Sequence, residues 1–331
     1  MPTAIRKATN QTRYLLDSNV WRYVVDANKE KILTEYATSK KVLVQIAPAT
    51  VNETLRLSQL SLMEKIVRLQ TKPCFDRLWA EALLNSIELY GEIRRTHPEW
   101  LRSDPDIKTF KKWLQFWDKK WWMRVRKSPA KEAQLLRYWE DNLVEKVRDQ
   151  SRSLRAHMRK NGPSHNNLPL NKWKATVPKP LPGWDKSISV DAWRIKSLLS
   201  ITNTMLASQN GMYPILETVI DFSKGLLSSN EWAFFWLYEA DEKRLSRLWL
   251  EWAHEFSASF RKTTPGTPGD TQLFNYLPDT DILVTADKGL LALLEEIRPY
   301  SPISLPAGFL LKGGEEGTEN LFRKFETNID R

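Results

Sequence analysis

With Cys74 as the only cysteine in 331 residues, the chain can form no internal disulfide and can build no cysteine-based zinc or iron–sulfur site. Histidine is almost as scarce: His97, His157, His165 and His254 lack the short spacing of a ligand pair and, like Cys74, read as structural or surface residues. A metal, if one is bound, must be held by oxygen. The chain also has no apolar run of bilayer-spanning length, and Met1-Pro2-Thr3-Ala4-Ile5-Arg6-Lys7 is not followed by the apolar core of a signal peptide. These absences lead to the expectation of a soluble, cytoplasmic protein without membrane contacts. Neither an internal repeat nor a low-complexity segment is present.

What the chain has in excess is positive charge and tryptophan. The net charge of +10 favours a polyanionic partner, nucleic acid before membrane, because no strongly basic amphipathic anchor stands out. With 41% hydrophobic and 27% charged residues there is material for the core of one large domain or two ordinary ones. The 15 tryptophans either fill a helical core or stack on bases.

In chain order, Arg13-Tyr14-Leu15-Leu16 reads as a short strand ending at Asp17, and Ser18 or Asn19 can cap the helix that continues through Val25. Lys41 to Pro48 reads as a second buried strand, with a helix starting at Ala49 and Glu53 on or near its first turn. Helical pattern then continues to about Arg95, broken at Thr71-Lys72-Pro73. Between Thr96 and Arg261 the reading is helices only, with a Pro/Asn-rich loop from Asn161 to Trp184. Strand–helix alternation resumes after the Pro/Gly-rich stop at Thr264 to Gly269: a helix opens at Asp270, Ile282-Leu283-Val284 forms a buried strand, and Thr285-Ala286-Asp287 ends it before another Leu-rich helix. Pro302 to Pro306 reads as a last edge strand and Glu319 to Phe325 as a short closing helix. Strands separated by helices imply a parallel sheet. The fold class is therefore α/β with a central parallel sheet interrupted by a large all-α insertion.

Four acids stand out by position: Asp17 ending the first strand, Glu53 after the second, Asp270 opening a helix and Asp287 ending the next strand. Ligands of open α/β sheets bind at the carboxyl ends of the strands, where such residues meet from distant parts of the sequence. Gathered carboxylates repel one another unless a cation is present, and oxygen donors in this number suit Mg²⁺ or Mn²⁺. Carboxylate-held Mg²⁺ serves phosphoryl transfer, neutralising phosphate charge and lowering the pKa of a bound water. A plainer reading makes Asp17 and Asp270 helix N-caps and Asp287 a turn residue before Lys288-Gly289. Glu64 competes with Glu53, whereas Asp279 and Asp281 flank the start of their strand, the wrong end of the sheet.

The set Leu15-Leu16-Asp17-Ser18-Asn19, Glu53 within Val51-Asn52-Glu53-Thr54-Leu55, Asp270, and Ile282-Leu283-Val284-Thr285-Ala286-Asp287 resembles the PIN-domain ribonucleases in type, order and local context. The resemblance covers roughly residues 12 to 95 and 262 to 312. It implies a PIN-like three-layer fold in which residues 1–95 and 262–331, the latter with a C-terminal tail, are the two halves of a nuclease domain. Residues 96–261 would be a Trp-rich, basic helical insertion. It further implies a hydrolase, an endoribonuclease in which Asp17, Glu53, Asp270 and Asp287 hold Mg²⁺ or Mn²⁺. Asn19 and Thr285 would orient the carboxylates and a metal-bound water. The expected products are a 5′-phosphate and a 3′-hydroxyl. The long interval between Glu53 and Asp270 departs from the compact members of that family and puts the substrate in question.

The insertion would bind or select RNA, single-stranded or structured. Ile107, Phe110, Trp113, Leu114, Trp117 and Trp121 share one helical face, and Leu245, Leu248, Trp249, Trp252 and Phe256 another; both stripes read as core. Phe116 and Trp122 fall off the first stripe among Lys111, Lys112, Lys119, Lys120, Arg124, Arg126 and Lys127, and are the candidates for base stacking. Arg148, Arg152, Arg155 and Arg159 recur at helical spacing as a basic ridge suited to phosphate contact. Two other readings stay open: a catalytically silent PIN-fold module that binds nucleic acid or protein, and a structure-specific DNA nuclease. Many small PIN proteins are toxins neutralised by an antitoxin, so the resemblance also admits an antitoxin-like partner, although the insertion competes for that surface. An oligomer is left open.

Overall fold

A computed structural model describes residues 11–39, 42–140, 149, 153, 156, 170, 174–177, 188–206, 211–223, 225–259 and 267–327. The first strand, β1 (Arg13–Leu16), is followed by helices α1 (Ser18–Asp26) and α2 (Glu30–Thr38). Next come β2 (Leu43–Ile46), α3 (Pro48–Leu55), α4 (Leu60–Gln70), the two-residue β3 (Asp76–Arg77) and α5 (Glu81–Thr96). The middle of the chain supplies α6 (Ile107–Gln115), a π-helical turn at Phe116–Lys120, α7 (Trp121–Lys127) and α8 (Pro129–Glu140). It continues with the strands β4 (Lys174–Val177) and β5 (Ile188–Asp191) and the helices α9 (Ala192–Leu206) and α10 (Ser246–Ser259). The last elements are α11 (Thr267–Phe274), β6 (Ile282–Thr285), α12 (Lys288–Ile297), β7 (Ala307–Leu310) and α13 (Glu315–Thr327). Among the described residues no helix is long and apolar enough to cross a membrane.

Five strands form one sheet in the order β3-β2-β1-β6-β7, every pair parallel. The chain runs outward from β1 to β2 and β3, leaves the sheet, and returns on the other side of β1 as β6 and β7. Alternation along the strands sorts the side chains between two cores. Leu15 and Leu283 face one, together with α5, α9, α10 and α12. Tyr14, Leu16, Val44, Ile46, Ile282 and Val284 face the other, with Trp21 of α1, Ile66 of α4 and Phe325 of α13. The sheet is thus covered by helices on both faces, as an all-parallel sheet requires.

Described residues between 96 and 261 contribute to both layers. Trp232, Trp236, Leu248, Trp249 and Trp252 fill the core beneath Leu15, and Trp121, Trp122, Val125 and Ala133 join the opposite one. The second sequence stripe is therefore core, as expected. In the first, Phe110 and Trp121 are buried while Ile107, at the helix start, is 40% exposed.

Several boundaries differ from the sequence reading. The stretch from 96 to 261 is not purely helical, because β4 and β5 pair as a two-stranded antiparallel ribbon. The last strand lies at Ala307–Leu310, just beyond the expected Pro302–Pro306: the backbone N–H groups of Ala307 and Leu311 donate to Asp281 and Thr285, whereas Pro302 and Pro306 have no N–H to give to a ladder. It is an edge strand, as expected. Pro48 opens α3 instead of ending β2, and α11 begins at Thr267 and not at Asp270, because proline in a first helical turn gives up an N–H that has no partner there anyway. The closing helix is longer than Glu319 to Phe325.

Candidate functional site at the switch point of the sheet

Strand order reverses between β1 and β6, so their carboxyl ends border the crevice where α/β sheets bind ligands. The parallel register aligns Leu16 with Val284, which brings the next residues, Asp17 and Thr285, side by side. Asp17 is 6% exposed and carries the N-cap of α1. Its Oδ1 accepts from the Ser18 N–H at 2.6 Å, and its Oδ2 accepts from Thr285 Oγ1 at 2.6 Å and Asn19 Nδ2 at 2.8 Å. The network then turns back on the second strand end: the Ala286 N–H donates to Asn19 Oδ1 at 3.1 Å and the Asp287 N–H to Thr285 Oγ1 at 2.9 Å. Asn19 and Thr285 therefore hold Asp17 in place and tie it to the turn that carries Asp287. Asp287 in turn caps α12, its Oδ1 accepting from Gly289 and Leu290 at 2.6 and 3.1 Å. A Cβ at Gly289 would stand 3.0 Å from that oxygen, so the glycine keeps the cap open.

Glu53 and Asp270 approach from helices. Glu53 lies on the second turn of α3, later than the first turn expected, because Pro48 starts the helix early. Asp270 sits in the first turn of α11 and is not its cap. The two helices meet at Gly269, where a Cβ would lie 3.5 Å from Glu53 Oε2. Ser18, read in the sequence only as a capping candidate, also hydrogen-bonds Glu53 through its side chain and so bridges it to Asp17. Its position directly after Asp17 is the one sequence signal for that role.

These acids act on one another electrostatically. Burial, followed by the negative charges of Asp17, Glu53 and Asp287, pushes the Asp270 carboxyl up to about 8. Glu53 is raised by burial and then by Asp17, against a lowering by Ser18 and Arg56. Asp17 is raised by burial despite the hydrogen bonds from Thr285, Ser18 and Asn19, with Asp287 adding to the rise. The charges acting on Asp270 are all of its own sign. Even so, among the described residues no three acidic, histidine or cysteine side chains close around one point as a ready-made ion cage.

Acids set aside in the sequence have structural partners. Asp281 pairs with Arg13 at 2.7 Å and Asp279 with Arg247 at 3.0 Å, at the opposite end of the sheet, and Glu64 pairs with Arg68 at 3.5 Å. His97 lies between Glu99 and Glu239, and His254 is buried.

The nucleic-acid candidates fare differently. Arg148, Arg152, Arg155 and Arg159 lie outside the described residues. Trp122 is wholly buried, its Nε1 donating to the Trp117 carbonyl at 2.8 Å, so it cannot stack on a base. The π-helical turn at Phe116–Lys120 is the reason: one extra residue in the turn rotates the downstream helix by about 100°, carrying Trp122 inward beside Trp121. Phe116 is half-buried, edge-on to Trp113 and Trp117, with the Arg124 guanidinium 5.7 Å from its ring centre. That leaves it little free face for a base. Lys111, Lys112, Lys119, Lys120 and Lys127 remain exposed on this ridge.

No protein-family model matches the chain, and the searches of curated proteins and of solved structures likewise give no match. What fold and site define is an α/β protein with a five-stranded parallel sheet and, by its switch point, an Asp270 carboxyl acted on by the like charges of Asp17, Glu53 and Asp287.

Proposed function

We propose that the chain is a Mg²⁺- or Mn²⁺-dependent endoribonuclease with a PIN-like fold. The observation that carries this reading is that Asp17, Glu53 and Asp287 all act on Asp270 with like charge, with no positive charge among the groups acting on it. An all-oxygen set with that much uncompensated negative charge fits a hard divalent cation. These four residues would hold it; when bound, it supplies neutralisation of phosphate charge and a lowered pKa for water.

The chain's own groups do the positioning. Thr285 Oγ1 and Asn19 Nδ2 both donate to Asp17 Oδ2, which fixes the direction in which the carboxylate presents its charge. The exposed lysines of α6, the π turn and α7 offer a phosphate-binding ridge whose contribution weakens with salt. One observation favours a second reading, a catalytically silent nucleic-acid-binding module: the carboxylates do not close around one point.

A single assay separates the readings. Purified protein in Mn²⁺ is offered a single-stranded RNA, a DNA of the same sequence and a DNA flap. Cleavage of the RNA alone, leaving 5′-phosphate and 3′-hydroxyl ends, is expected. Cutting of the flap in preference to RNA points to the DNA nuclease, and binding of RNA without cutting to the silent module.

A further inference from the structure

A partly open cavity of about 330 Å³ lies apart from the acid crevice, between α5, α9, α10 and α11. Its polar lining comes from Glu81 and Asn85 on α5, Lys196 on α9, Glu251 on α10 and Gln272 on α11, with the Trp252 ring as an aromatic wall. That volume is in the range of small-molecule sites and exceeds what a lone ion fills.

The lining is charged in a definite way. Glu81 accepts from Tyr276 Oη at 3.0 Å and Glu251 from Asn275 Nδ2 at 3.3 Å, so both carboxyls are anchored from behind. Lys196, the one basic residue lining the cavity among the described residues, is drawn to Glu255 at 2.9 Å and so does not neutralise both. Asn85 is 5% exposed and its Oδ1 has no hydrogen-bond partner. Trp252 is almost fully buried, its ring stacked on Phe256 and so held rigidly. Two anchored acids, an acceptor without a donor and an aromatic face together select for positive charge with N–H groups. Anions are repelled, and a bare metal ion gains nothing from the apolar part of the wall, formed by Ile201, Met212 and Leu248.

We propose that this cavity binds a small organic cation bearing ammonium or guanidinium groups, held between Glu81 and Glu251 against the Trp252 ring. The site uses none of the acid-crevice residues and does not rest on the nuclease reading.

Burial pushes both Glu81 and Glu251 up to about 7. Beyond burial, Tyr276 acts on Glu81, and Glu255, Asn275, Lys196 and Glu81 act on Glu251. A cation needs both carboxylates ionised, so affinity must rise with pH through that value, with protons released on binding.

The test is calorimetric titration of the full chain with agmatine, putrescine and guanidinium, with uncharged 1,4-butanediol as the comparator. At least one cation is expected to bind about tenfold or more tightly at about pH 8 than at about pH 6. Glu81→Gln and Glu251→Gln, checked for cooperative unfolding, each weaken it by about tenfold or more. Asp17→Asn leaves it unchanged. No binding by any of the cations, equal binding of butanediol, binding undiminished in both glutamine variants, or loss on Asp17→Asn would each overturn the proposal. The pH dependence needs no variant and so decides even if a substitution prevents folding.

Discussion

Asp17→Asn is expected to lower RNA cleavage by on the order of a thousandfold or more while leaving RNA affinity unchanged or raised. The carboxylate it removes is the best-fixed of the four, with hydrogen bonds to Ser18, Asn19 and Thr285. Asparagine has nearly the same shape but offers a single acceptor oxygen and no charge. It cannot satisfy all three of those donors, and it cannot take part in holding a divalent cation as a carboxylate does. Affinity for RNA should survive, since the lysine ridge is untouched and one negative charge facing the phosphates has gone. Single-turnover cleavage alongside a binding titration measures both. A variant that cuts at the wild-type rate removes Asp17 from the chemistry.

Asp270→Asn should act on stability and activity in opposite directions. The Asp270 carboxyl titrates at about 8 in the folded protein, against an ordinary value of 3.8. A carboxyl with a raised folded value favours the native state only while protonated. Its contribution is therefore fully present below about pH 4 and is lost as pH rises through about 8. Asparagine is neutral throughout. The metal-free variant should match the wild type near pH 4 and exceed it at about pH 8.5, by about 1–4 kcal/mol in denaturant unfolding. Added Mn²⁺ should narrow that gap by stabilising the wild type, and RNA cleavage should be lost in the variant. Equal stability of the two proteins across the whole pH range would show that Asp270 does not sit among like charges.

Both predictions draw on residues that the sequence already places. Asp17 and Asp287 each follow an apolar strand run, Glu53 lies in the helix after a third, and Asp270 follows a Pro/Gly-rich stop; parallel pairing of β1 with β6 brings the ends carrying Asp17 and Asp287 together. The roles expected of Asn19 and Thr285 rest on the same register, because aligning Leu16 with Val284 sets Thr285 against Asp17. Positions set by strand alternation are legible in this way. Positions set by helix phase are less so, as Trp122 shows: a 3.6-residue period carried past Phe116 places it outside, and the π turn, which has no composition signal, brings it into the core.

Other features escaped for equally physical reasons. Two residues of β3 are too short to show a period, and β4 lies in a proline-rich stretch that reads as loop. Pro268 and Gly269 look like helix breakers but occupy the first turn of α11, which moves Asp270 inside the helix. The cavity beside Glu81 and Glu251 has no sequence signature, since its walls come from four helices far apart in the chain.

The four acids at the switch point are proposed to hold a divalent cation. Crystals grown with Mn²⁺ test this most directly, through the anomalous difference map at the manganese edge. A peak is expected among the carboxylates of Asp17, Glu53, Asp270 and Asp287, with oxygen distances of about 2.0–2.3 Å, and no such peak in Asp17→Asn. A fully occupied Mn²⁺ elsewhere with that crevice empty, or a peak undisturbed in Asp17→Asn, would contradict it.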